Sequence, residues 1–136
     1  MEYTQLRNRN RGYMKLDVWQ KAIELYKLVW KIVYEEIRLD YKLRSQIADA
    51  AQSVSGNIAE GYSRRSIREY LQYLYISLGS LSEMLTRTIG LKVTEQITTT
   101  QFNEIDALHY EVENKLLKLV QSLEAKKDKG DWNERV

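Results

Sequence analysis

The chain has 136 residues, and its 21 lysines and arginines nearly balance its 19 aspartates and glutamates, so net charge alone points to no particular partner. It contains no cysteine and no proline, which excludes disulfides and thiolate metal sites and leaves long helices uninterrupted. No apolar run is long enough to span a bilayer, and the N-terminal residues lack the apolar core of a signal peptide. We therefore expect one cytoplasmic domain with no membrane segment.

Residues 1–14 are predicted to form a flexible basic arm. Three arginines, Arg7, Arg9 and Arg11, alternate with asparagines, and tyrosines flank the run. A basic arm with aromatic residues can lie along a phosphate backbone, so these arginines are candidates for nucleic-acid binding. The alternative is an ordinary solvated terminus, as chain ends commonly are.

Helix one is predicted over residues 17–38, with Asp17 as N-cap and Gln20 completing a capping box. Its apolar residues form two adjacent stripes that together cover close to half of the helix circumference. So wide an apolar face indicates a helix that lies between two neighbours in a bundle. A second interpretation is that aromatic residues of this helix also form a subunit interface, where aromatics are enriched. The interface candidates are Trp19, Tyr26 and Trp30.

Helix two is predicted over residues 41–60, with Asp40 as its N-cap. It places an apolar stripe beside a polar one, and small residues fill most other positions, which lets another helix approach closely. Gly61 is predicted to end this helix in the left-handed conformation. The apolar stripe is Leu43, Ile47, Ala50, Val54 and Ile58, and the polar stripe is Gln46, Ser53, Asn57 and Glu60.

Helix three, over residues 66–93, is predicted to start at a capping box of Ser66 and Glu69. It repeats the pairing of an apolar stripe, which runs from Ile67 to Ile89, with a row of small and polar residues. We infer that the polar rows of helices two and three meet and hydrogen-bond. The resulting structural polar network is Gln46, Ser53, Asn57, Glu60, Ser77 and Ser80.

Helix four, over residues 99–125, follows a further capping box of Thr98 and Gln101, and residues 127–136 are predicted to be a charged tail. No segment has the alternating pattern of a strand. Four helices with short links predict an all-α, antiparallel up-down four-helix bundle over residues 15–126.

Three motifs are the most specific features of the chain: Leu16-Asp17-Val18-Trp19-Gln20-Lys21-Ala22, Asn57-Ile58-Ala59-Glu60-Gly61-Tyr62 and Leu78-Gly79-Ser80-Leu81-Ser82-Glu83. With them, residues 16–124 resemble the four-helix-bundle proteins named after intervening sequences in 23S rRNA genes. The resemblance implies a ring-like homopentamer and no agreed biochemical activity. It also implies likeness to the accessory protein of diversity-generating retroelements, a basic pentamer that binds nucleic acid and reverse transcriptase.

The chain departs from the pattern of that family on helix two. The family usually has an arginine pair after the glutamine of this helix, where the chain has Ala48 and Asp49. Ser55-Gly56 also stands where the family often has a proline. The loss of these positive charges argues against a nucleic-acid surface on helix two.

Positive charge remains at the turn between helices two and three. Arg64, Arg65 and Arg68 lie there beside a helix N-terminus, whose dipole also favours anions. These arginines are candidates for phosphate contacts, which a symmetric assembly would multiply. The alternative is a solvated turn whose arginines pair with nearby carboxylates.

No catalytic residue, cofactor site or metal site is predicted. Glu60 and Asn57 have no visible nucleophile or metal partner, so we expect both to have structural hydrogen bonds. Asp106, His109 and Glu113 share one helical face, but a carboxylate-bridged metal bundle needs a Glu-x-x-His motif on two helices. The single histidine cannot supply both, and a hydrogen-bonded core or interface histidine is the better interpretation.

Together these features predict a non-enzymatic homo-oligomer, with five copies as the resemblance implies, that serves as a scaffold or accessory protein and binds RNA or DNA through phosphates. The alternative is a protein-interaction module that binds a protein partner and no nucleic acid.

Overall fold

The computed structural model describes residues 12–130, and in that range it contains four α-helices and no strand, which confirms the all-α prediction. The helices are α1 (Asp17–Lys31), α2 (Tyr41–Tyr62), α3 (Ile67–Val93) and α4 (Thr99–Lys129). Each packs on the next helix in the chain and α4 also packs on α1, so the four form a square bundle. The predicted arm up to residue 11 and the tail from residue 131 lie outside the described residues.

The first turn of α1 is built differently from the prediction. Leu16, not Asp17, is the N-cap, and its side chain makes no capping hydrogen bond. Gln20 does not close a capping box, since its Nε2 donates to the carbonyl oxygen of Met14 at 2.8 Å. Asp17 is the first helical residue and forms an ion pair with Lys115 on α4. The polar side chains at this end therefore tie α1 to its surroundings instead of capping it.

The α-helical geometry of α1 also ends before the predicted residue 38. A π-helical turn at Ile32–Glu36 follows Lys31, and Ile37 is extended, with φ −127° and ψ 161°. Ile37 and Leu39 pack against the core from this extended segment. Partial burial of these two side chains accompanies the early exit of the chain from the helix.

Helices α2 and α3 form the most extensive helix pair of the bundle. Gly61 lies inside α2, which continues to Tyr62, so the predicted left-handed helix end at this glycine is wrong. A Cβ atom at Gly61 would lie 2.8 Å from the Cβ of Tyr73 and 3.0 Å from the carbonyl oxygen of Tyr70. Glycine is required here because the backbone of α3 approaches closely.

Three other helix starts follow the sequence signals. Asp40 caps α2 by accepting from the backbone N–H of Lys42. Ser66 caps α3 by accepting from the backbone N–H of Glu69, which is one of the two bonds of the predicted capping box. Thr98 and Gln101 make both hydrogen bonds of a capping box at the start of α4. Helix α4 then runs to Lys129, past the predicted residue 125, and ends at Gly130 in the left-handed conformation.

Buried aliphatic side chains from all four helices fill one continuous core. Leu43 and Ile89, which belong to the predicted apolar stripes, are nevertheless exposed, and so is Leu117 on α4. Within residues 12–130, none of the helices combines the length and the apolar character that a membrane-spanning helix needs.

Candidate nucleic-acid interface

The turn between α2 and α3 carries the three candidate arginines, and the structure gives them different surroundings. Arg64 is held in place: its Nη2 donates to Glu60 Oε1 and to the Tyr73 hydroxyl, each at 2.6 Å. The guanidinium of Arg64 also lies over the Tyr73 ring, 4.7 Å from its centroid. Arg65, just before the N-cap of α3, and Arg68, in the first turn of α3, are exposed. The interpretation as a carboxylate-paired turn therefore holds for Arg64.

The side chain of Glu60 takes part in this turn and not in the contact between α2 and α3. Its carboxylate is exposed and pairs with Arg64, four residues later on the same side of the chain. Glu60 thus holds an arginine and does not join the polar network that was inferred between helices two and three. The four-residue spacing of Glu60 and Arg64 was a visible signal for this pair, whereas nothing in the sequence indicated Tyr73.

The point where the basic arm joins the bundle lies beside this turn. The ring of Tyr13 packs edge-on against Trp19 and Tyr62, at centroid distances of 5.5 and 6.4 Å. Tyr62 packs in the same way against Tyr70, and Gly12 lies against the Tyr62 ring. Arg7, Arg9 and Arg11 lie outside the described residues, but the chain that carries them is joined to Gly12 at this end of the bundle.

Trp19 belongs to the same aromatic cluster. Its side chain is only 6% exposed, so it offers little surface for the predicted contact with another copy. Tyr26 is half-buried and Trp30 is exposed. Only these two interface candidates are available at the surface of the bundle.

The last turn of α4 adds further positive charge to this end of the bundle. Lys126, Lys127 and Lys129 lie there, where cations stabilise the helix C-terminus. Lys127 pairs with Glu124, whose carboxylate also accepts a hydrogen bond from the Tyr75 hydroxyl on α3. Desolvation and then the Glu124 charge raise the pKa of Tyr75 above its usual value, because both disfavour the phenolate. The chain end that bears the arm, the arginine turn and these lysines therefore share one end of the molecule.

The polar residues inferred between helices two and three form several contacts in the structure. Ser53 Oγ and Ser80 Oγ are 2.8 Å apart, and Asn57 Nδ2 donates to both the carbonyl oxygen and the Oγ of Ser53. Ser77, which is fully buried, donates to the carbonyl oxygen of Val54 at 2.9 Å. These side chains hold α2 against α3, so their role is structural.

Gln46 extends the contact to a residue that the sequence did not single out. Its Oε1 accepts from Arg87 Nη1 at 2.9 Å, and Arg87 Nε donates to Glu83. In the sequence, Arg87 has the position of an ordinary helix-surface residue. Only the packing of α3 on α2 identifies it as a partner of Gln46.

His109 is buried in the core, with its Nε2 2.8 Å from the carbonyl oxygen of Leu81. Asp106, its neighbour on the predicted face, is exposed. Between residues 12 and 130, no three His, Cys, Asp or Glu side chains are placed to hold a metal ion together. The ring of His109 therefore joins α4 to α3 through a backbone hydrogen bond.

The comparison with known families agrees with this fold. A family model described as 23S rRNA-intervening sequence protein matches residues 14–118, which include most of the four-helix bundle. The chain belongs to this family. In this member of the intervening-sequence family, the motif residues Asn57, Gly61 and Ser80 all lie at the contact between α2 and α3, so they serve packing.

A solved structure shares the fold of this family member. It is the crystal structure of a protein with unknown function from the S23 ribosomal protein family of Bacteroides thetaiotaomicron. The TM-score is 0.71 at 23% sequence identity, over 76% of this chain and 95% of that one. At this identity the likeness shows the fold alone. No curated protein matches the chain significantly.

Proposed function

We propose that this member of the 23S rRNA-intervening sequence family is a non-enzymatic, homo-oligomeric scaffold that binds nucleic acid through phosphate contacts. One observation carries the proposal: the arm that bears Arg7, Arg9 and Arg11 joins the bundle beside the turn that bears Arg65 and Arg68. The described part of the chain therefore begins, directly after the basic segment, at the same end of the bundle as the arginine turn.

The local geometry suits phosphate in a sequence-independent way. Arg65 and Arg68 flank the N-terminus of α3, where backbone N–H groups and the helix dipole favour an anion. Arg64 acts as a positioning residue, because its contacts to Glu60 and Tyr73 fix the shape of the turn. Binding of this kind rests on charge and carries little base readout.

Assembly multiplies such weak contacts. The resemblance of the motifs implies a ring-like homopentamer, and a ring would present the basic end once per copy, which raises avidity without any new contact. An accessory role of the kind known from diversity-generating retroelements would use the same surface. Light scattering of the purified chain measures the assembly mass, and a monomer at working concentrations would contradict the oligomer.

Fluorescence anisotropy with a labelled RNA hairpin and a labelled DNA duplex, across a salt series, tests the binding. We expect affinity to fall steeply with salt for both probes. The double variant Arg65→Gln, Arg68→Gln should weaken binding at low salt and reduce the slope of log affinity against log salt by about one for each arginine that binds a phosphate. The triple variant Arg7→Gln, Arg9→Gln, Arg11→Gln tests the arm in the same way.

The matched control removes two charges from the opposite end of the bundle. Arg38 and Lys42 are exposed there, before and at the first turn of α2, so Arg38→Gln with Lys42→Gln should leave binding nearly unchanged. Equal losses in the control and the test variants would show only a general effect of net charge. Absence of binding at low salt would leave the alternative, a protein-interaction module without nucleic-acid binding.

A further inference from the structure

Large apolar side chains are exposed on one side of the hairpin formed by α3 and α4. Tyr75 lies on this side of α3, where its hydroxyl donates a hydrogen bond to Glu124 on α4. Ser82, Ile89 and Val93 follow at spacings that keep them on the same side of α3 as Tyr75. On α4, Tyr110 is 65% exposed and Leu117 lies two turns further on. We call this surface the α3–α4 face: Tyr75, Gly79, Ser82, Thr86, Ile89, Val93, Tyr110 and Leu117.

The α3 part of this face is free of charge over its whole length. Between Tyr75 and Val93 its members are aromatic, aliphatic, hydroxyl or glycine residues, whereas solvated helix faces normally carry charges. Val93 is 72% exposed. Ile89 is also exposed, although its spacing in the sequence predicts a position in the core. An uncharged surface of this kind is typical of a contact with another protein chain.

Gly79 supplies an independent observation. A Cβ atom built on Gly79 meets no other atom within 4 Å, so the packing of the subunit itself does not require glycine there. Glycine inside a helix costs about 1 kcal/mol relative to alanine. Gly61, in contrast, is required by the approach of α3. Gly79 thus leaves room on the outside of the bundle, at the centre of the α3–α4 face.

The opposite side of the square carries aromatic side chains that project from α1 and from the π-helical turn that follows it. Tyr26, Trp30 and Tyr34 recur every four residues, and Trp30 is 39% exposed and stacks on Tyr34 at a centroid distance of 5.2 Å. Arg44 on α2 lies over the Tyr34 ring, which places these rings on the side shared by α1 and α2. We call this surface the α1–α2 face: Tyr26, Trp30, Tyr34 and Arg44.

The two faces match in height along the bundle axis. Helix α2 allows the heights to be compared, because Arg44 contacts Tyr34 in the π-helical turn after α1, and Gln46 contacts Arg87 of α3. Tyr34 therefore lies near the height of Arg87 and Ile89. Since α1 and α3 run in the same direction, Tyr26 and Trp30 lie at the height of the small residues Gly79, Ser82 and Thr86.

We propose that the α1–α2 face of one copy packs on the α3–α4 face of the next copy, with Tyr26 and Trp30 lying over Gly79, Ser82 and Thr86. The contact is head-to-tail, because the two faces lie on opposite sides of the same subunit. A head-to-tail contact closes into a ring only when the rotation between copies divides a full turn and no shift along the axis accompanies it, whereas a shift gives an open filament. The equal heights of the two faces meet the second of these conditions. This inference rests on the proposed homo-oligomer and names its interface.

The size of the face suits a specific contact between copies. From Tyr75 to Val93 the face is about 27 Å long at 1.5 Å per residue, and two adjacent helices make it about 20 Å wide. The product is roughly 500 Å² per copy, or roughly 1,000 Å² in total, which reaches the lower limit of specific interfaces. Shape complementarity between rings and small residues then decides its strength.

Light scattering and native mass spectrometry of full-length variants test the interface. Ser82→Glu places a charge on the α3–α4 face, and Trp30→Glu places one on the α1–α2 face. Each variant alone should be monomeric at concentrations where the wild type is assembled, because a charge at the centre of the contact would be buried without a partner. Ser122→Glu is the control, since Ser122 is exposed on the edge of α4 that carries Glu111 and Lys115, the partners of α1.

Mixing the two variants separates a head-to-tail contact from a symmetric one. Each variant keeps one intact face, so the mixture should form a dimer of one copy each and nothing larger. A contact that used a single face twice would leave one variant assembled like the wild type and the mixture without a mixed dimer, which would overturn the proposal. Circular dichroism checks that each variant is folded, and Trp30→Ala and Thr86→Glu replace any variant that is not.

The outcomes also distinguish this inference from the proposed function. A monomeric wild type would refute the homo-oligomer itself. An assembled wild type whose mass is unchanged in both Ser82→Glu and Trp30→Glu would refute only the interface named here.

Discussion

At the scale of single residues, the two glycines of α2 have different structural roles. Gly61 faces Tyr70 and Tyr73 of α3, and a Cβ atom there would lie 2.8 Å from the Cβ of Tyr73. Gly56, five residues earlier in the same helix, has open space around the corresponding position. The sequence predicted a helix end at Gly61, and only the approach of α3 shows that glycine is needed there for packing while Gly56 is not.

Replacing these two glycines by alanine should change stability in opposite directions. Gly61→Ala forces the Cβ of Tyr73 and the backbone of α3 to shift, so we expect a loss of about 1–3 kcal/mol in the free energy of unfolding. Gly56→Ala meets no atom and improves helix propensity, so we expect a gain of up to about 1 kcal/mol. Urea denaturation at equal protein concentration measures both. A gain in Gly61→Ala would contradict the close approach of α3.

At the scale of helices, two predicted capping boxes had opposite outcomes. Thr98 and Gln101 exchange both bonds of the box at the start of α4. Asp17 and Gln20 have compatible residue types but bind Lys115 and the Met14 carbonyl instead. The difference is tertiary, because α4 and the turn that precedes α1 offer those side chains other partners.

The capping box of α4 should be measurable by replacing its hydroxyl. Thr98→Ala removes the acceptor for the backbone N–H of Gln101, so we expect the free energy of unfolding to fall by about 1 kcal/mol. Thr99→Ala makes the same chemical change one residue later, at an exposed helical position without a capping role, and should have little effect. Equal effects of the two variants in urea denaturation would argue against the box.

At the scale of the whole molecule, the bundle separates its surfaces by chemistry. The end with the arm junction and the arginine turn also holds the lysines of α4, while the α3 side of the α3–α4 face carries no charge. Phosphate binding and contact with other copies can therefore use different surfaces of one subunit. Variants of the arginine turn can therefore test phosphate binding without altering the surface between copies.

Assembly also predicts how stability depends on concentration. If folded copies associate and unfolded chains do not, the unfolding midpoint of the wild type should rise with protein concentration, by mass action. The midpoint of Ser82→Glu should be independent of concentration, because that variant is expected to be monomeric. Thermal scans over a dilution series measure both midpoints, and a wild-type midpoint that stays constant would contradict association coupled to folding.

The sequence by itself determined the helices and most of their limits. Apolar periodicity placed the four helices, and local signals such as Asp40, Ser66 and Thr98 fixed three of their starts. These features are predictable because helix formation and capping depend on residues within about four positions of each other. The polar contact of Ser53 with Ser80 followed from the same periodicity, since matching rows on neighbouring helices can meet.

Only the tertiary structure decided which side chains from different parts of the chain contact each other. It buried Trp19 in the aromatic cluster, tied Arg64 to Tyr73 and Arg87 to Gln46, and placed Gly12 beside the arginine turn. Each of these contacts joins residues whose distance in space is set by how whole helices pack. A local pattern carries no information about that distance, because the orientation of a helix around its axis is settled by its neighbours in the bundle.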